Sequence, residues 1–169
     1  LASVKGHVVS AWCIDHLDGD VLEGWTTVAY LAARHPELVW GHTVLSNQFR
    51  NPALLAKMGA TLAYLTGGRY VLGIGAGADE RDHLAYGYDF PRGGNRVAAL
   101  DEALTIIRAM WTQERVTFDG SWHRVTDARC EPKPFPPPPI AVGGFGPRML
   151  RLTARHADWW NVSSTAIDG

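Results

Sequence analysis

Three places in the 169-residue sequence carry residue types that can do chemistry. The first is Asp15–His16, directly after the apolar run HVVSAWCI. A histidine so placed can give a proton to a substrate, or take one, near neutral pH. The second is VGGFGPRMLRL, in which Gly143, Gly144, Gly146 and Pro147 lead from an apolar run into a helical pattern. Such a turn offers unpaired backbone N–H groups and the positive end of a helix dipole to an anion, with Arg148 alongside. A phosphate is the expected occupant; the plainer alternative is a strand-to-helix turn that uses Gly and Pro for shape. The third is RYVLGIGAGADERDH, where Gly73, Gly75, Gly77 and Ala78 satisfy G-x-G-x-x-A, the outline of a dinucleotide fingerprint. A true fingerprint opens straight into a helix and places an acid about 20 residues on. ADERDHLAYGYDFPRGGN does neither: it is polar, glycine-rich and interrupted by Pro91. The glycines then read as tight packing or as a platform for a flat cofactor.

Other reactive residues suggest less. His7, His35, His42, His83, His123 and His156 lack metal-ligand spacing, so no metal is expected and these rings read as surface or packing residues. Ser10, Ser46, Ser121 and Ser163 lie outside any G-x-S-x-G context, which argues against a serine hydrolase. Asp79, Glu80 and Asp82 read as a solvated acidic loop. Cys13 and Cys130 are far apart and have no CxxC partner, so reduced thiols and a cytoplasmic location are expected. A net charge of −1 disfavours nucleic acid as a partner. No run of 18 apolar residues is present, so no membrane span is expected.

The elements that must position these residues alternate between strand and helix. Strands are expected at 7–14, 38–45, 70–74, 140–144 and 158–162. Helices are expected at 22–34, with Leu22, Trp25, Ala29 and Ala32 on one face, and after Asn51. The second helix has Asn51 as cap, Pro52 at its first position, and a stripe of Leu55, Met58, Leu62 and Leu65. A longer helix runs from about Arg96 to Trp111, with Val97, Leu100, Leu104, Ile107 and Trp111 on one face, and another from Gly146–Pro147 to about His156. VTFDGSWHRV reads as a hairpin turning at Asp119–Gly120, followed by six prolines between 132 and 139 in a stiff connector. Strands joined by single helices imply right-handed parallel crossovers. A doubly wound sheet and part of a (β/α)8 barrel both fit, and both collect ligands at the carboxyl ends of the strands. The chemistry should then lie in the loops after 14, 43, 75 and 143 and in the residues following WWNV.

Several motifs together resemble the bacterial-luciferase-like superfamily of flavin- and deazaflavin-dependent oxidoreductases. They are AWCIDHL, LEGWTTVAYLAA, GHTVLSNQFRNPALLAKMGATLAYLTGGRYVLGIGAG, RVAALDEALTIIRAMWT, CEPKP and IAVGGFGPRMLRLTARHADWWN, in the family's order over residues 8 to 163. The resemblance implies an α/β fold: a single incomplete TIM-barrel domain over 1–169, about strands two to six, with an insertion at 115–139. The first strand and last two strands would be absent, which together with Leu1 suggests a fragment. It implies a coenzyme F-420 (deazaflavin) or FMN cofactor. Thr43–Val44 matches the site of a non-prolyl cis peptide behind the ring in the deazaflavin-using branch. Ser46, Ala76 and Gly77 match ring contacts, and Gly143, Gly144, Gly146 and Pro147 match the phosphate loop. Asp15 matches a cofactor contact and His16 the catalytic position.

Ala78 stands where a sugar-phosphate dehydrogenase branch carries a glutamate. LDGDVLEG also lacks that branch's tryptophan after the DH pair, so a sugar phosphate is not the expected substrate. The expected activity is hydride transfer between the cofactor and a small organic substrate. A homo-oligomer is expected for the full-length parent. The rival readings are an FMN-dependent monooxygenase using oxygen, and a non-catalytic barrel fragment that needs a partner.

Overall fold

The computed structural model of the chain describes Gly6 and residues 8–162. His7, Ser163 and the loop expected after WWNV lie outside the described residues. Strand β1 (Ser10–Cys13) is followed by α1 (Gly24–Arg34), β2 (Val39–His42), β3 (Leu45–Ser46), α2 (Pro52–Leu65), β4 (Tyr70–Gly75) and the short α3 (Glu80–Ala85). Then come α4 (Gly93–Thr112), the hairpin β5 (Val116–Asp119) and β6 (Arg124–Ala128), β7 (Ile140–Gly143), α5 (Pro147–His156) and β8 (Trp159–Asn161). The main sheet is entirely parallel, in the order β1-β2-β4-β7-β8, with β3 also paired to β4.

A flat sheet would hold β1 and β8, the end strands of that order, about 19 Å apart, given roughly 4.8 Å per neighbour. Yet the rings of Trp12 and Trp159 meet at 6.2 Å between centroids. The sheet is therefore strongly curled, an arc of a barrel and not an open doubly wound layer. β4 is its centre and is buried along its whole length, as a parallel strand covered on both sides must be.

The helices close the outer side. Asn51 Oδ1 accepts from the N–H groups of Ala53 and Leu54, and Pro52 occupies the first helical position. Leu100, Leu104, Ile107 and Trp111 of α4 are buried as expected, and Trp111 Nε1 donates to the Ala56 carbonyl on α2 at 2.8 Å.

Several sequence expectations are corrected. The second strand breaks at Thr43–Val44, whose peptide bond is cis, so 38–45 is two short strands. α1 begins at Gly24 because the Glu23 carboxylate accepts from the Trp25 and Thr26 N–H groups and caps it. Its buried face is Gly24, Val28 and Ala32, while Leu22 is exposed. Leu65 likewise leaves the α2 stripe for solvent. α4 starts at Gly93, not near Arg96. The hairpin loop is Gly120–His123, with Gly120 N–H donating to the His123 carbonyl. That loop is clasped by Glu102 of α4, which accepts from the Ser121, Trp122 and His123 N–H groups at 2.8–2.9 Å. The proline connector contains cis bonds at Glu131–Pro132 and Phe135–Pro136. Among the described residues no helix is long and apolar enough to cross a membrane.

Candidate active site

A cavity of about 760 Å³ opens at the carboxyl ends of the parallel strands. Asp15, His16, Thr43, Val44, Ser46, Ala76, Gly77, Gly143, Gly144, Gly146 and Pro147 all line it. Four loops far apart in the chain thus face one space, which is what parallel strands of one barrel arc must do with the segments that follow them.

The wall at its back is built on Val44. A Cβ on Gly75 would lie 2.8 Å from Val44 Cγ2, and one on Gly143 2.7 Å from it. The absence of side chains at Gly75 and Gly143 lets β4 and β7 close on the Val44 side chain. Gly73 is small for another reason, because the His42 carbonyl occupies its Cβ space. It belongs to strand packing and is not among the residues lining the cavity.

Asp15 is held in the wall. Its side chain is fully buried and pairs twice with Arg50, at 2.8 and 2.9 Å, and its Oδ2 also accepts from Ser46 N–H at 2.8 Å. Arg50 reaches Glu23 as well, at 2.8 Å. Burial works against the Arg50 charge, but Asp15 and Glu23 outweigh it and raise its pKa. The carboxylate expected to touch a cofactor is therefore turned inward. It fixes the loop that carries Ser46.

His16 is half-exposed, with Nδ1 3.0 Å from Asp82 Oδ2. Asp82 is buried and also accepts from the Leu17 and Asp18 N–H groups. Burial raises its carboxyl pKa, but the Asp18 and Leu17 N–H groups and His16 prevail and hold it below the ordinary range. Of the expected solvated acidic loop, Asp79 and Glu80 are exposed and Asp82 is the correction. Asp79 caps α3 by accepting from Asp82 N–H, and Asp82 anchors the loop of residues 16–18. Donor atoms of His16, Asp79 and Asp82 lie within 4.8 Å of one another, close enough to share a cation. The Asp82 oxygens, however, are already engaged by three N–H donors.

The opposite end of the cavity is cationic. Gly144 and Gly146 take left-handed φ values of +132° and +89°, and α5 begins with no side-chain cap and no acid in its first turn. Among the described residues no side chain caps its first N–H groups. Arg148 and Arg96 line the same end. Arg96 lies over the Phe90 ring at 3.8 Å, donates to the Pro91 carbonyl, and keeps Nε buried without a partner. A planar molecule with an anionic tail fits this donor set: small residues along the middle, helix N–H groups and guanidinium at one end, and an imidazole at the other.

Sequence reasoning missed Asp82, His83, Arg50 and Arg96. Only α3 left a local signal, since an acid followed three residues later by another, as in Asp79-x-x-Asp82, resembles a helix-start box. Arg50 and His83 act through partners 35 and 37 residues distant, and Arg96 has only its place in the cavity lining to mark it.

The comparisons follow this geometry. A family model described as luciferase-like monooxygenase matches residues 9–168. An F420-dependent glucose-6-phosphate dehydrogenase of Kineococcus radiotolerans is 35% identical over 162 residues, 92% of this chain and 48% of the relative. An F420-dependent hydroxymycolic acid dehydrogenase of Mycobacterium tuberculosis is 32% identical over 164 residues, 93% of this chain and 45% of the relative. The chain spans about half the length of the curated relatives it matches. The solved structure of an F420-dependent secondary alcohol dehydrogenase in complex with an F420-acetone adduct superposes with a TM-score of 0.82 at 24% identity. The match covers 89% of this chain and 48% of that one. That likeness establishes the fold, part of a luciferase-like TIM barrel.

Proposed function

The chain belongs to the luciferase-like monooxygenase family, and from that premise we propose that the protein is an F420-dependent oxidoreductase. It passes a hydride between the deazaflavin and the carbinol or carbonyl carbon of a small organic substrate. The observation that carries this reading is the shared cavity at the strand ends, lined by His16, the Thr43–Ser46 segment, Gly75–Gly77 and the glycine loop before α5. The curated relatives with F420 in their names favour deazaflavin over FMN.

Bound there, a deazaflavin supplies the two-electron hydride donor or acceptor. The chain's own residues do the rest. Gly143, Gly144, Gly146 and Pro147 shape the turn at which a phosphate would be held, by the backbone N–H groups that open α5 after Pro147 and by the charge of Arg148. Thr43, Val44, Ser46, Ala76 and Gly77 bear the ring. Asp15 positions Ser46 through its backbone N–H.

His16 exchanges the substrate's hydroxyl proton at Nε2. With Nδ1–H donated to Asp82, Nε2 is left as the free lone pair, ready to take that proton as the carbon loses hydride, or to return it in the reverse direction. Ala78 offers no second carboxylic acid at the glycine loop. The relatives' names differ in substrate while sharing F420, so the substrate class proposed is an alcohol or its carbonyl counterpart, without a sugar-phosphate requirement.

Titration of the protein with oxidised deazaflavin and with FMN, followed by stopped-flow reduction with a panel of secondary alcohols, tests this reading. Deazaflavin binding with bleaching of its absorbance by an alcohol is the expected result. Binding of FMN alone, with oxygen consumed when reduced FMN is supplied, would replace it with a monooxygenase. Binding of neither ring would remove it.

A further inference from the structure

Ser46 and His83 form a polar pair in the cavity wall whose protons can be assigned. The His83 ring is 1% exposed, packed against Phe49 and Phe90 with centroids 4.4 and 4.9 Å away. Its Nδ1 faces the carbonyl oxygen of Asp79, a group that can only accept, so Nδ1 carries the ring proton. Nε2, 2.9 Å from Ser46 Oγ, is then the lone-pair nitrogen, and the Ser46 O–H donates to it.

A hydroxyl has one proton. The 3.1 Å contact between Ser46 Oγ and Gln48 Oε1 would set two acceptors against each other, while Gln48 Nε2 is buried with no partner. Exchanging the two amide atoms turns the first into a donor–acceptor contact, Gln48 Nε2 donating to Ser46 Oγ, and leaves the oxygen in place of the nitrogen as the buried atom without a partner. What remains on Ser46 is one lone pair. A Cβ on Gly77 would lie 2.5 Å from the Gln48 amide atom, 2.9 Å from Ser46 Oγ and 3.1 Å from His83 Nε2. Gly77 itself has φ +80° and lines the cavity. The three polar side chains therefore converge on the space that Gly77 leaves open.

We propose that His83 is a positioning residue which, by taking the Ser46 proton, makes that hydroxyl an obligate hydrogen-bond acceptor toward the cavity, so that the site selects a ring carrying an N–H donor there. This rests on the cavity being the cofactor site. Flavin and deazaflavin rings share such a donor, the imide N–H between two carbonyls. A methyl group on that nitrogen abolishes it.

Two measurements test the proposal. Nitrogen-15 NMR of the histidine side chains reads the His83 tautomer with no cofactor present. A protonated Nδ1 with a bare Nε2 is expected, and an Nε2–H tautomer or a doubly protonated ring overturns the proposal. The second is a double-mutant cycle on binding of deazaflavin and FMN with Ser46→Ala, His83→Phe and the pair. His83→Phe keeps an aromatic ring between Phe49 and Phe90, and the Tm of each variant reports the fold. Each single change is expected to weaken binding about tenfold, with the pair no weaker than Ser46→Ala alone. His83→Gln, whose amide oxygen can accept the Ser46 proton, restores affinity. Wild type should bind the imide-methylated ring about tenfold more weakly than the parent ring, and Ser46→Ala should not discriminate. Additive losses, or equal discrimination by both proteins, overturn the positioning role. Failure of wild type to bind either ring removes the cofactor reading instead, and the tautomer result still decides the proton assignment.

Discussion

His16 Nδ1 lies 3.0 Å from Asp82 Oδ2, joining the loop after β1 to the helix after β4. The contact orients an exposed imidazole with a buried carboxylate that is itself tied to the Leu17 and Asp18 N–H groups. Asp82→Asn removes the charge and weakens the tautomer preference while conserving size. Turnover should fall at least about tenfold, a part of the roughly 10²–10⁴ carried by a positioned acid–base group, and deazaflavin affinity should change little. Stopped-flow reduction beside an equilibrium titration separates the two. A loss confined to affinity would contradict the role given to His16.

Asp15 and Arg50 form the buried ion pair beneath Ser46. Removing one partner leaves an uncompensated buried charge, a change that costs about 3–5 kcal/mol. Arg50→Met should therefore destabilise strongly in urea denaturation, and Asp15→Asn added to it should recover much of the loss. A double variant as unstable as the sum of the singles would show that the pair is not coupled.

His42 is buried, stacked on Trp25 at 5.1 Å, with its Nε2 unpartnered. Burial chiefly, with Arg50 adding, lowers its pKa to about 4 against the pull of Asp15. The unfolded chain binds this proton near pH 6.5, so between the two values the unfolded state holds more protons. The contribution is complete above about pH 6.5 and is lost as pH falls toward 4, by roughly 3 kcal/mol. Urea midpoints from pH 7.5 down to 4.5 should drop more steeply for wild type than for His42→Gln. Parallel curves would contradict this.

The elements were legible where a signal is local. Asn51–Pro52 starts α2, and the apolar period of Leu100, Leu104, Ile107 and Trp111 marks α4, because capping and burial on one face act within a few residues. Alternating strands and helices also dictated that the loops carrying His16, Ser46, Gly77 and Gly146 share one end. The cis bond at Thr43–Val44 was reached only through family likeness, and the break it makes in the strand was not anticipated, since no apolar pattern marks it. The inward turn of Asp15 was not legible at all: it depends on Arg50, 35 residues on, and carboxylates turned in or out have the same local sequence. The acids near 80 misled for the same reason. Composition alone makes Asp82 a surface residue, and only its partners in residues 16–18 bury it.

At the other end of the cavity, α5 starts without a side-chain cap and Arg148 stands in its first turn. Arg148→Ala should weaken binding of FMN or deazaflavin by about tenfold, the scale of one charge-assisted hydrogen bond. It should leave binding of the corresponding phosphate-free ring compounds unchanged. Equal loss for both would place the anion elsewhere.

Hydrogen–deuterium exchange of the protein with and without saturating deazaflavin tests the central claim most directly, that one ring and its phosphate occupy the strand-end cavity. Protection should appear together at residues 43–46, 75–77 and the amides opening α5, with lesser change around residues 15–18. Saturation that leaves these segments unprotected, or that protects the β5–β6 hairpin instead, would contradict it.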